Sequence, residues 1–130
     1  MIRFENDPRT RGEQLYLRAM LQGCPLARCD WRRVRADDFA HDLHGRIFRH
    51  AAGLMAEGIK PHPYAVFCSM RDERRMRGRR VALDGVPDYL AWLDGDDPGF
   101  AADRVRALIA FVDAIGEQHE ARAASQQVRK

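Results

Sequence analysis

The sequence predicts an all-α protein, a compact domain of about six helices. Apolar side chains recur at spacings of three and four in several stretches, which is the period of a helix with one buried face. Glycine and proline separate these stretches at positions typical of helix ends. With 130 residues, 45% of them apolar, the chain is long enough to bury roughly two thirds of its surface in one core.

The amino-terminal part divides into an arm and two helices. Residues 1–12 are polar and carry Pro8 and Gly12, so we expect a mobile arm. Glu13–Gln22 places Leu15, Tyr16, Ala19 and Met20 on one side of a first helix, which Gly23 and Pro25 end. A short second helix is predicted over Leu26–Val34.

The stretch Ala36–Gly58 predicts the central helix of the domain. Asp37 or Asp38 suits its amino-terminal cap, and Gly58 supplies its end. One apolar stripe lies between them: Leu43, Ile47, Phe48, Ala51, Leu54 and Met55. A helix of this length is not stable alone in water, so neighbouring segments must cover the stripe.

Prolines at first-turn positions predict the next two helices. One begins near Pro63, runs to about Arg75 and buries Val66, Phe67 and Met70. Val81–Leu83 then reads as a loop that packs back on the core. The following helix begins at Pro87 and carries Tyr89, Leu90, Trp92 and Leu93.

A last helix should begin near Phe100. Its apolar residues repeat at alternating steps of four and three, which is typical of a helix that packs lengthwise on a partner: Ala101, Val105, Leu108, Val112 and Ile115. We expect these residues to form a self-association or partner surface. Residues 117–130 are polar and predict a solvated helix or a frayed tail, so the folded domain should span residues 13–116.

The positive charge of the chain is concentrated in one segment. Arg71–Arg80 contains six arginines and two acids, whereas the net charge of the whole chain is only +3. A solvated helix end explains such a segment, because arginines complement the negative end of a helix dipole. The second interpretation is a nucleic-acid contact through five of these side chains: Arg74, Arg75, Arg77, Arg79 and Arg80.

Motifs for catalysis and metal binding are missing from the sequence. No GxxxxGK[ST] phosphate-binding loop and no GxSxG motif occur, and the chain has two lysines. His41 and His44 are three residues apart, but the HExxH spacing of zinc proteases is absent. Cys24, Cys29 and Cys68 fit reduced thiols, with Cys68 in the core. We expect a cytoplasmic, non-enzymatic binding protein without metal, cofactor or membrane span.

The order of several short segments resembles the amino-terminal domain of DnaB-type replicative helicases. The resemblance covers residues 13 to about 115, and no single segment is diagnostic. The matching segments are E-Q-L-Y-L-R-A-M-L-Q at Glu13–Gln22, Trp31-x-x-Val34, A-D-D-F at Ala36–Phe39, H-G-R-I-F at His44–Phe48, L-M-A-E-G at Leu54–Gly58, Lys60-Pro61 and D-G-V-P-D-Y-L-A-W-L at Asp84–Leu93.

The resemblance implies a helical head followed by a helical hairpin, whose first arm would be the helix around Val105–Ile115. In that family the domain is not catalytic: it self-associates and contacts primase or helicase loaders, and the motor domain lies elsewhere. We therefore expect helicase, primase or loader as partner, with a homodimer through the last helix. The residues implied to hold the fold are Phe39, His44, Ile47, Phe48, Tyr89, Leu90 and Leu93.

Overall fold

A computed structural model describes residues 2–5, 7–22, 34–77, 83–95 and 115–125, with residues 74–77 as backbone only. This part of the chain is helical and contains no strand. Four α-helices carry the fold: α1 (Pro8–Leu21), α2 (Asp42–Ala56), α3 (Pro63–Arg77) and α4 (Val86–Gly95). A 3-10 turn, Ala36–Asp38, precedes α2, and residues 115–125 are also helical. The all-α prediction is therefore confirmed.

The four α-helices pack in a closed order around one core. The main contacts join α1 to α2, α2 to α3, α3 to α4 and α4 back to α1, and the 3-10 turn packs on α2. Apolar side chains from all four helices meet between them. The fully buried ones include Leu17, Met20, Ile47, Ala51, Val66, Tyr89, Leu90 and Leu93.

Helix α1 begins earlier than predicted. Asp7 is its amino-terminal cap: a carboxylate oxygen accepts a hydrogen bond from the Thr10 amide at 2.9 Å, and Pro8 occupies the first turn. The start is thus Pro8 and not Glu13. Ile2 and Phe4, in the segment predicted as an arm, pack against the core, so the residues before Glu13 contribute to the fold.

The most buried helix is α1 and not the stretch Ala36–Gly58. Ten of the 14 residues of α1 are buried, against five of 15 in α2. The predicted central helix is also interrupted: Asp37 and Asp38 lie in the 3-10 turn, and His41 is the cap residue of α2. An Asp38 oxygen accepts from the Arg35 amide at 2.7 Å, which stabilises this separate turn.

Gly58 ends α2 as predicted, in a Schellman motif. Its φ of 78° lies in the left-handed region that favours glycine. The Gly58 amide donates to the Met55 carbonyl at 3.0 Å, and the Ile59 amide donates to the Leu54 carbonyl at 2.9 Å. The backbone that leads from α2 towards α3 is thereby fixed.

The predicted starts of α3 at Pro63 and of the next helix near Pro87 agree with the structure. Val66, Met70 and Leu83 are buried as expected, and Phe67 and Trp92 are partly buried against the core. The second helix predicted over Leu26–Val34 lies outside the described residues except for Val34, which is not helical, and the last helix from Phe100 to Val112 also lies outside them. No described helix is both long and apolar enough to cross a bilayer.

Candidate functional site

The predicted interaction residues fall mostly outside the described structure. This applies to Ala101, Val105, Leu108 and Val112, to Arg79 and Arg80, and to the side chains of Arg74, Arg75 and Arg77, whose backbone continues α3. Ile115 is described and packs partly buried against the core, so at least part of its surface is covered within the chain.

Three polar side chains from three helices form a buried hydrogen-bonded cluster. The Nδ1 atom of His44 lies 2.9 Å from a Glu13 carboxyl oxygen, and its Nε2 atom lies 2.5 Å from the Tyr89 hydroxyl. The other Glu13 oxygen accepts from the Ala40 amide at 2.7 Å, and the Gln14 amide donates to the Tyr89 hydroxyl at 3.0 Å. Every member of this Glu13–His44–Tyr89 cluster therefore has a partner.

Burial sets the protonation of this cluster. It lowers the pKa of His44, and the neighbouring Glu13 only partly opposes that effect. It also raises the pKa of Tyr89. Neutral His44 then donates from Nδ1 to Glu13 and accepts the Tyr89 hydroxyl proton at Nε2. The Phe4 ring packs on the cluster, with its centroid 4.5 Å from that of the His44 ring. The buried cluster orients the helices relative to one another and is not accessible to a substrate.

The two histidines considered as metal ligands have different environments. His41 Nε2 lies 2.8 Å from the Thr10 hydroxyl, whereas His44 is held in the Glu13–His44–Tyr89 cluster. Across the described residues, no group of three or more His, Cys, Asp or Glu side chains is placed to hold a metal ion. Hydrogen bonds to Thr10 and Glu13 of α1 therefore account for both histidines.

An open groove of about 810 Å³ lies between α2 and α3. Its walls combine apolar, acidic and hydrogen-bonding side chains. We call it the α2–α3 groove, and its lining residues are His50, Leu54, Glu57, Ile59, Ala65, Cys68, Ser69, Asp72 and Glu73. Cys68 is half-buried at this surface, which corrects its predicted place in the core.

A hydrogen-bonded chain links the two helices along the groove. His50 Nδ1 lies 2.8 Å from the Ser69 hydroxyl, and His50 Nε2 lies 2.6 Å from a Glu73 oxygen. Arg49 also donates to both Glu73 oxygens, at 2.8 and 2.9 Å. Burial lowers the pKa of His50, while Glu73 opposes this effect.

Ser69, His50 and Glu73 have the connectivity of a nucleophile, a base and an orienting acid. Catalysis of acyl transfer also needs hydrogen-bond donors aimed at the developing oxyanion. Ser69 lies inside α3, where backbone amides are bonded to carbonyls four residues earlier. The chain of hydrogen bonds braces α2 against α3.

Sequence reasoning missed both the buried cluster and the groove. Ser69 and Glu73 are four residues apart on α3, a spacing that places them on one helix face. Their meeting with His50 depends on how α2 packs on α3, which no local pattern reports. For Glu13, His44 and Tyr89 the only signal was that each lies in a segment carrying the resemblance.

Comparisons of this chain with protein-family models, curated proteins and solved structures gave no match.

Proposed function

We propose that this chain is a non-catalytic protein-interaction module of DNA replication, built like the amino-terminal domain of DnaB-type helicases and acting in the cytoplasm. Its partner would be a replicative helicase, a primase or a helicase loader. The last helix, with Ala101, Val105, Leu108, Val112 and Ile115, would supply a surface for that partner or for a second copy.

The observation that carries this proposal is the meeting of three resembling segments in one buried cluster. Glu13 comes from the E-Q-L-Y segment, His44 from H-G-R-I-F and Tyr89 from D-Y-L-A-W-L. A chance likeness of short segments gives no reason for their polar residues to become mutual partners. All seven residues implied to hold the fold are also buried: Phe39, His44, Ile47, Phe48, Tyr89, Leu90 and Leu93.

Pairwise binding tests this proposal. The full chain would be immobilised and exposed separately to the purified replicative helicase, primase and loader of the source cell, with an unrelated helical protein as control. We expect saturable binding to one of the three. A chain that binds none of them, and that sediments as a monomer at all concentrations, would contradict the proposal.

A second candidate function is nucleic-acid binding through the arginine-rich segment. Helix α3 runs to Arg77, so Arg74 and Arg77, three residues apart, share one helix face. This candidate predicts DNA binding that weakens steeply with salt and is lost when Arg74, Arg75, Arg77, Arg79 and Arg80 become alanine. Titrations of the chain with DNA at two salt concentrations test this candidate. DNA binding that does not change with salt, or that persists after the substitutions, would contradict it.

A further inference from the structure

The α2–α3 groove is lined by one face of α2 and one face of α3. His50, Leu54 and Glu57 lie at steps of four and three on α2, and Ala65, Ser69 and Asp72 do so on α3, which places each set on one face. The first and last residues of each set are seven positions apart, or about 10 Å along a helix. The groove is therefore about two helical turns long.

The two ends of the groove differ in chemistry. Helix α2 ends at Ala56 and α3 begins at Pro63, so a short connection joins the end of one to the start of the other. His50, further back along α2, contacts Ser69 and Glu73 further along α3, and the two helices therefore run in opposite directions. Leu54, at the end of α2, thus lies near the start of α3, where Ala65 is located. The end of the groove at Leu54 and Ile59, here called the apolar end, also carries Glu57, and the other end carries Asp72 and Glu73.

The apolar end is rigid and open to solvent. The Schellman motif at Gly58 fixes Ile59 next to Leu54, a contact typical of this motif. Ile59 nevertheless remains 46% exposed. Among the described residues, Ile59 and Tyr64 are the large apolar side chains that are exposed, and of these Ile59 lines the groove. An apolar side chain held in place and exposed is a ready anchor for a partner.

The charge of the groove is acidic. Glu57, Asp72 and Glu73 line it, and none of the other lining residues that the structure describes is a lysine or an arginine. Glu73 is matched by Arg49. Asp72 is 61% exposed, and the Arg71 Nε atom is 3.8 Å from one of its oxygens, close to the outer limit of an ion pair. An incoming basic side chain would therefore meet acidic groups that are not fully compensated.

We propose that the α2–α3 groove binds an amphipathic helix of a partner protein. That helix presents a Leu- or Ile-sized side chain to Leu54 and Ile59 and a Lys or Arg, about two turns away, to Asp72. This inference deepens the proposed function and rests on it, since it locates the surface through which the module binds a protein.

A helix fits this groove because the side-chain ridge of a third helix can pack between two adjacent helices. Next to Asp72 and Glu73, the α3 wall contains the small side chains Ala65, Cys68 and Ser69, which allow close approach of another helix. The distance between the apolar and acidic ends also matches positions seven residues apart on one helix face.

Designed peptides test the groove directly. The probe is a stapled helical peptide of about four turns carrying one Leu and one Lys seven positions apart, made in both orders on an Ala/Gln background. We expect one order to bind the full chain and to shift the NMR signals of Ile59, Ser69 and Asp72. Replacing Lys by Glu or Leu by Ala should weaken binding about tenfold. No binding in either order, or shifts elsewhere, would overturn the proposal.

Matched variants separate the groove from other surfaces. Ile59→Asp and Asp72→Lys should abolish peptide binding, whereas Tyr64→Ala and Glu120→Lys, which change exposed residues outside the groove, should leave it intact. Loss of binding in the control variants as well would contradict a specific groove.

Two further outcomes distinguish this inference from the proposed function. If Ile59→Asp leaves peptide binding unchanged while the chain still binds its replication partner, the groove inference is overturned and the proposed function stands. If the peptide binds as expected and no replication protein does, the groove stands and the proposed function fails. A self-associated chain that Asp72→Lys makes monomeric would show that a second copy occupies the groove, which also overturns the inference.

Discussion

The Tyr89 hydroxyl serves two partners in the core. It lies 2.5 Å from His44 Nε2 and accepts from the Gln14 amide at 3.0 Å. Tyr89→Phe keeps the ring but leaves both groups buried without this partner, so we expect the free energy of unfolding to fall by about 1–3 kcal/mol. Urea denaturation measures it. Tyr64→Phe, at a side chain 70% exposed, is the matched control and should change stability by less than about 0.5 kcal/mol.

Replacing glycine by alanine should change the stability of the protein in opposite directions at two positions of α2. A Cβ on Gly45 would lie 2.6 Å from the Ala36 carbonyl oxygen, whereas a Cβ on Gly53 would meet nothing within 4 Å. Gly45→Ala should therefore destabilise the protein by about 1–3 kcal/mol, because backbone must move. Gly53→Ala should stabilise it by roughly 0.5–1 kcal/mol. Thermal denaturation of both variants checks the pair, and equal effects would contradict the close packing of α2 on the 3-10 turn.

The helix ends that the sequence predicted correctly are those determined by a residue at the end itself. Gly58 and Pro63 have such causes, a left-handed φ and a first-turn proline, and both were predicted. The Asp7-Pro8 start of α1 was equally local, yet the polar composition of residues 1–12 obscured it. The break between Asp38 and Asp42 was not predictable, since it depends on Asp38 being buried by residues far away in the chain.

Those distant residues belong to the helical segment 115–125. Arg122 and His119 both contact the buried Asp38 carboxylate, His119 Nε2 at 3.3 Å. This segment was predicted to be solvated, and its sequence has few apolar residues. Its attachment through charged groups explains why an apolar pattern did not reveal it.

Arg122→Ala should loosen this segment. The substitution removes a charged partner of Asp38, and because Arg122 is about one third exposed, we expect a loss of about 1–2 kcal/mol in the free energy of unfolding. Hydrogen exchange should show faster exchange of amides 115–125. Glu120→Ala, an exposed change on the same segment, is the control. Unchanged exchange in Arg122→Ala would show that other contacts hold the segment.

The stability of the whole molecule should depend on two histidines. Burial lowers the pKa of both His44 and His50 in the folded state below the ordinary value of 6.5. Below that value the unfolded chain binds more protons than the folded one, so the free energy of unfolding should fall as the pH drops below about 6.5. The lowered pKa of Asp7 acts at a lower pH, below the ordinary value for aspartate, and does not account for this loss.

Urea denaturation at about pH 7.5, 6.5 and 5.5 measures the effect. His50→Gln should make the dependence shallower, because one of the two titrating groups is gone. A free energy of unfolding that stays constant across these three pH values would contradict the lowered pKa of His44 and His50.

Asp38 also joins two parts of the described chain that are far apart in sequence. Arg9, at the start of α1, donates to the Asp38 carbonyl at 3.1 Å, and Arg122, in the final helical segment, contacts the Asp38 side chain. Residues 9 and 122 therefore lie side by side, although they are far apart in sequence. One residue of the 3-10 turn thus holds the first α-helix and the last described helical segment together, the first through its carbonyl and the second through its carboxylate.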